Sequence, residues 1–285
     1  MPPADAGRRD GERPPRLDPP RARESQKLTY AASDEFEPVI SDSNIVYLSD
    51  RAGNWDIYLL NVSTGVSRQL TDSPAADTHA SWAPDGTAVV FQSMRDGRWQ
   101  IYRQDAAGGE AVRLSDGLGD DIAPVHGFLR GQVAFRSLRE GSSTYTIHVM
   151  DAADGGNLEM ISDPAGDAAM PVWYIDDSLL AYQSDLDGDL DVYIYDFISG
   201  ETRLVTNNAI PDYAPMWQCG APIVVFTSDV TGDANIYNTP ALPIESDAIL
   251  VDEDAMQMTD DPATDAYPAY SQFEESASLE EHFAE

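Results

Sequence analysis

One pattern recurs along this chain and constrains it more than any other feature. It is a Ser, three residues, a Gly, three residues, a β-branched residue and Tyr. It reads SDRAGNWDIY from Ser49, SMRDGRWQIY from Ser93, SDLDGDLDVY from Ser184 and SDVTGDANIY from Ser228, with a copy two residues longer, SLREGSSTYTIH, from Ser137. These starts are 44 to 47 residues apart, and self-similarity at such a period signals a repeat architecture.

The hydrophobic period shows what each repeat is made of. In the first copy NIVYLS (Asn44 to Ser49) and DIYLLN (Asp56 to Asn61) are short β-branched and aromatic runs split by a Gly-containing turn, which is hairpin chemistry. A second turn, Ser63 to Gly65, leads into SRQLT, whose last two residues recur as Leu114-Ser115, Ile161-Ser162, Val205-Thr206 and Met258-Thr259. A polar connector ending in an acid then precedes a short, mostly Pro-led strand: EFEPVIS, DTHASW, DIAPVH, DAAMPVW, DYAPMW and DAYPAYS. Four short strands per 44 to 47 residues predict an all-β chain of β-propeller blades, each a four-stranded antiparallel sheet.

Five sets of the last three strands are present, against six copies of the first. A spare fourth strand, QKLTY, stands at Gln26 to Tyr30, and the sixth first strand at Pro268 to Ser271. Both belong to one blade position. The expectation is five full repeats plus a reduced sixth blade closed by N- and C-terminal strands, which would hide open sheet edges; the alternative is a five-bladed ring. Residues 1–26, rich in Pro and Arg, read as a disordered tail, residues 27–272 as the propeller and residues 273–285 as an acidic tail. No apolar run of signal-peptide or membrane-span length follows the arginines, so neither a leader nor membrane insertion is expected.

The stretch LTDSPAADTHASWAPDGTAVVFQSMRDGRWQIY, Leu70 to Tyr102, resembles the repeat of the TolB-like propeller family, the WD40-like PD40 repeat. The resemblance extends from about Lys27 to Gln272, although the PDG turn gives way to FLRGQ, YIDDS and QCGAP in later repeats. It implies a propeller fold, a periplasmic or secreted location, and binding of a protein or peptide. It also extends to the non-catalytic propeller domains of prolyl-peptidase-like hydrolases. Fold alone does not assign an activity.

Charge narrows the partners. The net charge is −33, and beyond the first 26 residues 45 acidic residues face 11 basic ones. Such a polyanion repels nucleic acid and anionic lipid. The sequence contains no Gly-x-Ser-x-Gly elbow, and His79, His126, His148 and His282 show no paired metal-ligand spacing. No residue is singled out as catalytic. The single Cys219 excludes an internal disulfide.

Two sets of loops open on one blade face, the connectors into each first strand and the turns between second and third strands. The acids ending the connectors, Glu35, Asp77, Asp121, Asp167, Asp212 and Asp265, are expected to ring the channel mouth and attract a basic protein or peptide segment, besides capping turns. Asp50, Asp185 and Asp229 add charge farther out. In one turn Asp185, Asp187, Asp189 and Asp191 alternate around Gly188, a ligand type and spacing that suits Ca²⁺. The runner-up function is a carbohydrate-binding or hydrolytic propeller subunit using channel carboxylates, with or without calcium. Trp82, Trp173, Tyr174, Tyr213 and Trp217 would suit sugar stacking, but their recurrence at equivalent places assigns them to the packing between blades.

Overall fold

The computed structural model describes residues 27–31, 33–218, 220–241 and 256–257. The chain divides into two units, Met1–Tyr30 and Ala31–Glu285. In the first, Lys27–Tyr30 is irregular rather than the expected strand, with the Lys27 ammonium 5.6 Å from the Tyr30 ring centre. The expected strand at Pro268 to Ser271, the sixth blade it would complete, Asp265 and both tails lie outside the described residues.

The second unit is all β among its described residues. Blade 1 comprises β1 (Glu35–Ser41), β2 (Asn44–Ser49), β3 (Asp56–Asn61) and β4 (Val66–Gln69). Blade 2 has β5 (Asp77–Trp82), β6 (Ala88–Ser93), β7 (Gln100–Asp105) and β8 (Val112–Arg113). Blade 3 has β9 (Gly119–His126), β10 (Gln132–Arg139), β11 (Thr146–Asp151) and β12 (Glu159–Met160). Blade 4 has β13 (Ala168–Trp173), β14 (Leu179–Ser184), β15 (Asp191–Asp196) and β16 (Glu201–Leu204). Blade 5 has β17 (Asp212–Trp217), β18 (Ile223–Ser228), β19 (Asn235–Pro240) and β20 (Met256–Gln257). Each is a four-stranded antiparallel sheet in sequential order, as the repeat predicts.

The repeated letters now have physical jobs. The Ser closes the second strand opposite the first residue of the third, as in Ser93↔Gln100 and Ser184↔Asp191. The Gly takes positive φ, from +84° to +120°, at the turn, where a side chain would be strained. The Tyr meets an aromatic of the second strand across the hairpin, stacked in Phe91–Tyr102, Tyr182–Tyr193 and Phe226–Tyr237 and tilted in Tyr47–Tyr58, with a tilted Phe135–His148 pair in blade 3. In blades 1 to 4 the hydroxyl ending the fourth-strand segment accepts the N–H of the third strand's second residue, Ile57→Thr71 at 2.9 Å, Ile101→Ser115 at 3.0 Å, Ile147→Ser162 at 2.8 Å and Val192→Thr206 at 3.0 Å.

First strands of successive blades pack against one another. Their tryptophans lock the blades together. Trp82, Trp173 and Trp217 donate indole N–H groups to the carbonyls of Val39, Val125 and Val172 in the preceding blade, at 2.9, 3.0 and 3.0 Å. The assignment of these rings to inter-blade packing is therefore borne out.

Candidate functional site

Every described first strand carries a β-bulge that the sequence did not announce. The residue two places after the one opposite the hairpin serine lies in the left-handed region, at Glu37, His79, Ala123, Met170 and Ala214, with φ between +48° and +53°. Register slips there in all five blades. The bulge lets the strand continue on the N-terminal side of the Pro. Glu35, Asp77, Asp121 and Asp212 thus become strand residues opposite Ser49, Ser93, Ser137 and Ser228, instead of ending the connector.

That placement overturns the picture of a ring of exposed carboxylates. Asp77, Asp121 and Asp212 are fully buried. Asp77 accepts two bonds from Arg95 Nη2, at 3.0 and 2.9 Å, and the Arg95 guanidinium lies 4.4 Å from the Tyr102 ring centre. Asp121 accepts from Ser137 Oγ at 2.5 Å, and Asp212 from Asn208 Nδ2 at 3.1 Å. Burial pushes the Asp77 and Asp121 carboxyls above the usual range, against the hydroxyl and guanidinium partners that lower them. Glu35 is mostly covered and pairs with Arg51 at 2.9 Å.

Asp167 differs because its repeat has one residue more before the Pro, so Ala168 takes the strand position opposite Ser184. Asp167 stays outside, 40% exposed, paired with Arg136 at 2.7 Å and accepting the Tyr145 N–H at 2.7 Å. Blade 4 instead has its buried acid on the third strand, Asp191.

The two loop sets do meet on one face. The Asp167 N–H donates to Asp185 Oδ1 at 2.6 Å, the Asp34 N–H to Asp50 Oδ1 at 3.2 Å, and the Met94 N–H to the Ala76 carbonyl at 3.1 Å. Of the four acids in the blade-4 turn, the structure brings three together. One carboxylate oxygen each of Asp187, Asp189 and Asp191 lies within 4.8 Å of the others, a group that could hold a metal. Asp185 serves the connector instead. Burial first, then Asp187 and Asp189, pushes the Asp191 carboxyl well up, against the Thr206 hydroxyl.

On the opposite face, exposed Asp85 caps its own turn at the Thr87 N–H, 3.0 Å away. Asp177 is buried and accepts the N–H groups of Phe128, Leu129 and Arg130 from the preceding blade at 2.7, 2.6 and 2.7 Å. It holds that loop, a role no local pattern announces. Between the first strands lies a cavity of about 310 Å³, lined by the bulges and the residues after them. Its wall is mostly Pro, Ala, Val and Met, with Glu37 accepting the His79 N–H at 3.0 Å across two blades.

Bulged first strands and serine-ended hairpins recur in the five described blades, and Trp locks in three of them. Residues 21–125 match the model of the TolB beta propeller domain. The likeness to that family is carried by this first part of the chain. Among solved structures the chain is similar to TolB from Acinetobacter baumannii, at 20% identity and TM-score 0.59, over 75% of this chain and 53% of that one. It is similar to an oligogalacturonate lyase from Vibrio parahaemolyticus at 17% identity and TM-score 0.58, over 69% and 58%. A prolyl endopeptidase structure matches at 13% identity and TM-score 0.61, over 80% of this chain and 36% of that one. At these identities the likeness is one of fold, which binding proteins and enzymes share. The chain spans about half the length of the TolB structure. No curated protein matches it.

Proposed function

We propose that this TolB-like propeller is a non-enzymatic protein that binds a protein or peptide segment on the face carrying the hairpin turns, outside the cytoplasm. The observation that supports insertion of a segment between the first strands is the apolar cavity of about 310 Å³ there, which runs from the bulges to Phe128 and has a size that takes one or two side chains. Exposed Asp163, Asp185 and Asp187 and half-buried Asp167 give the hairpin face its negative charge, so the segment would be basic beside its apolar anchor. Glu35 and Asp167 would exchange their arginine partners for the partner's cations. Asp77, Asp121 and Asp212 would support the face from inside, without touching the ligand.

Selection from a displayed peptide library, followed by binding kinetics, tests it. Selected peptides should be basic, bind Ala80→Phe at least tenfold more weakly, and lose association rate as salt rises or when Asp163, Asp167 and Asp185 become Asn. A glycan that binds where peptides do not, and is excluded by Ala80→Phe, would move the protein to the carbohydrate-binding class.

A further inference from the structure

Five hairpins of one design allow each to be compared with the others. All return from the Gly turn to a buried polar residue at the start of the third strand: Asp56, Gln100, Thr146, Asp191 and Asn235. In blade 5 the Asn235 amide nitrogen donates to Thr231 Oγ1 at 2.8 Å and to the Asp233 carbonyl at 3.0 Å. Counting from the serine, the residues at those two places in blade 4 are Asp187 and Asp189. Opposite them stands Asp191, which as a carboxylate has no hydrogen to offer.

Asp191 is completely buried. Thr206 donates to its Oδ1 at 2.9 Å, while Oδ2 is buried and meets no protein donor. Asp189 Oδ2 is in the same condition. Burial of an acid here is not itself unusual, since Asp56 occupies the same place in blade 1. There Thr71 donates to Oδ1 at 3.2 Å and Gln69 to Oδ2 at 3.0 Å, so both oxygens are met. Blade 4 differs in having an unmet buried oxygen beside two further carboxylates, all within 4.8 Å. A buried charge without a partner is costly, and a cation standing where the Asn235 amide stands in blade 5 would meet all three at once.

We propose that Asp187, Asp189 and Asp191 bind one Ca²⁺ ion in the blade-4 hairpin. The donors are all hard oxygens, which suits Ca²⁺ or Mg²⁺ over thiolate- or imidazole-seeking metals. Ca²⁺ takes six to eight oxygens in flexible geometry, so a Gly-hinged turn open to water can complete its shell without an octahedral cage. Because Asp185 in the same turn accepts the Asp167 N–H, the ion would also fix the hairpin against the connector into β13.

Calorimetric titration of the EDTA-treated full chain with CaCl₂, paired with thermal melts, tests this. One Ca²⁺ should bind per chain and raise the melting temperature, with Mg²⁺ giving a smaller rise at equal concentration. Asp191→Asn, which installs the blade-5 amide, should fold and lose that binding event, and Asp56→Asn should keep it. If Asp191→Asn fails to fold, Asp189→Asn should fold and bind Ca²⁺ at least tenfold more weakly. Stabilisation by Ca²⁺ that persists undiminished in these blade-4 variants would be general screening of a polyanion and would overturn the site. So would a parent protein that ignores millimolar Ca²⁺ but gains stability on mild acidification, the behaviour of carboxylates sharing a proton.

Discussion

The acids that start the first strands and the acids of the blade-4 turn are one residue type on one face, yet they do opposite things. Asp77, Asp121 and Asp212 are buried, each with a hydroxyl, amide or guanidinium partner. Asp185 and Asp187 are exposed, and Asp189 and Asp191, each with an oxygen that no protein group meets, gather with Asp187 within 4.8 Å; Asp121 keeps such an oxygen too, but outside any such group. In an acid-rich repeat protein, place within the blade therefore decides whether an Asp is an internal strut or an available ligand. A count of carboxylates near a channel does not.

The largest expected effect breaks the strut side of that comparison. Asp77→Ala removes both bonds to Arg95 and leaves its guanidinium facing a void. We expect a loss of about 2–3 kcal/mol by chemical denaturation, below the usual penalty for breaking a fully buried pair because Arg95 can turn to solvent. Asp77→Asn keeps an acceptor and removes a poorly solvated charge, so it should lie close to the parent. Equal destabilisation by both variants would mean that the charge, and not the hydrogen bond, holds β5 to its hairpin.

An intermediate effect sharpens the comparison through pH. Burial, then the charge of Asp77, raises Asp56 to about 6, whereas burial lowers His148 to about 4. The raised acid keeps its proton in the folded state where the unfolded chain has lost it, so its contribution is complete below pH 3.8 and fades as pH rises through 6. The buried neutral histidine works the other way. Its contribution is complete above pH 6.5 and is lost as pH falls through 4. Asp56→Asn should therefore gain on the parent with rising pH, and His148→Tyr, the residue the other blades use, should gain with falling pH. Melts of both variants from pH 3.5 to 7.5 would show the two trends crossing; parallel curves would remove either group from the account.

The smallest effect belongs to the exposed side. Asp185→Asn retains an acceptor for the Asp167 N–H and should shift stability by no more than about 0.5 kcal/mol. A larger loss would make this turn a structural element in its own right.

Much of this was legible in the sequence because it is local. The Ser to Tyr spacing fixes a hairpin by period-two alternation and a Gly at positive φ, and neighbouring strands supply everything a hairpin needs. The hydroxyls at Thr71, Ser115, Ser162 and Thr206 were visible as a recurrence, though their bonds to the third strand were not. The bulges were hidden, since Ala123, Met170, His79 and Glu37 carry no local signal for left-handed backbone; only the Pro that follows most of them hints at a break. From that one gap came the misplacement of Asp77, Asp121 and Asp212.

The amino-acid sequence by itself determined the repeat, the strand order within a blade, the turn glycines and the acidic character of the surface, because each depends on residues less than one repeat apart. The tertiary structure decided which carboxylates are dry, which arginines they meet, and that three aspartates converge while Asp185 turns to a connector. Those outcomes depend on how first strands bulge and how one blade packs on the next, and desolvation is a property of that packing, not of residue type.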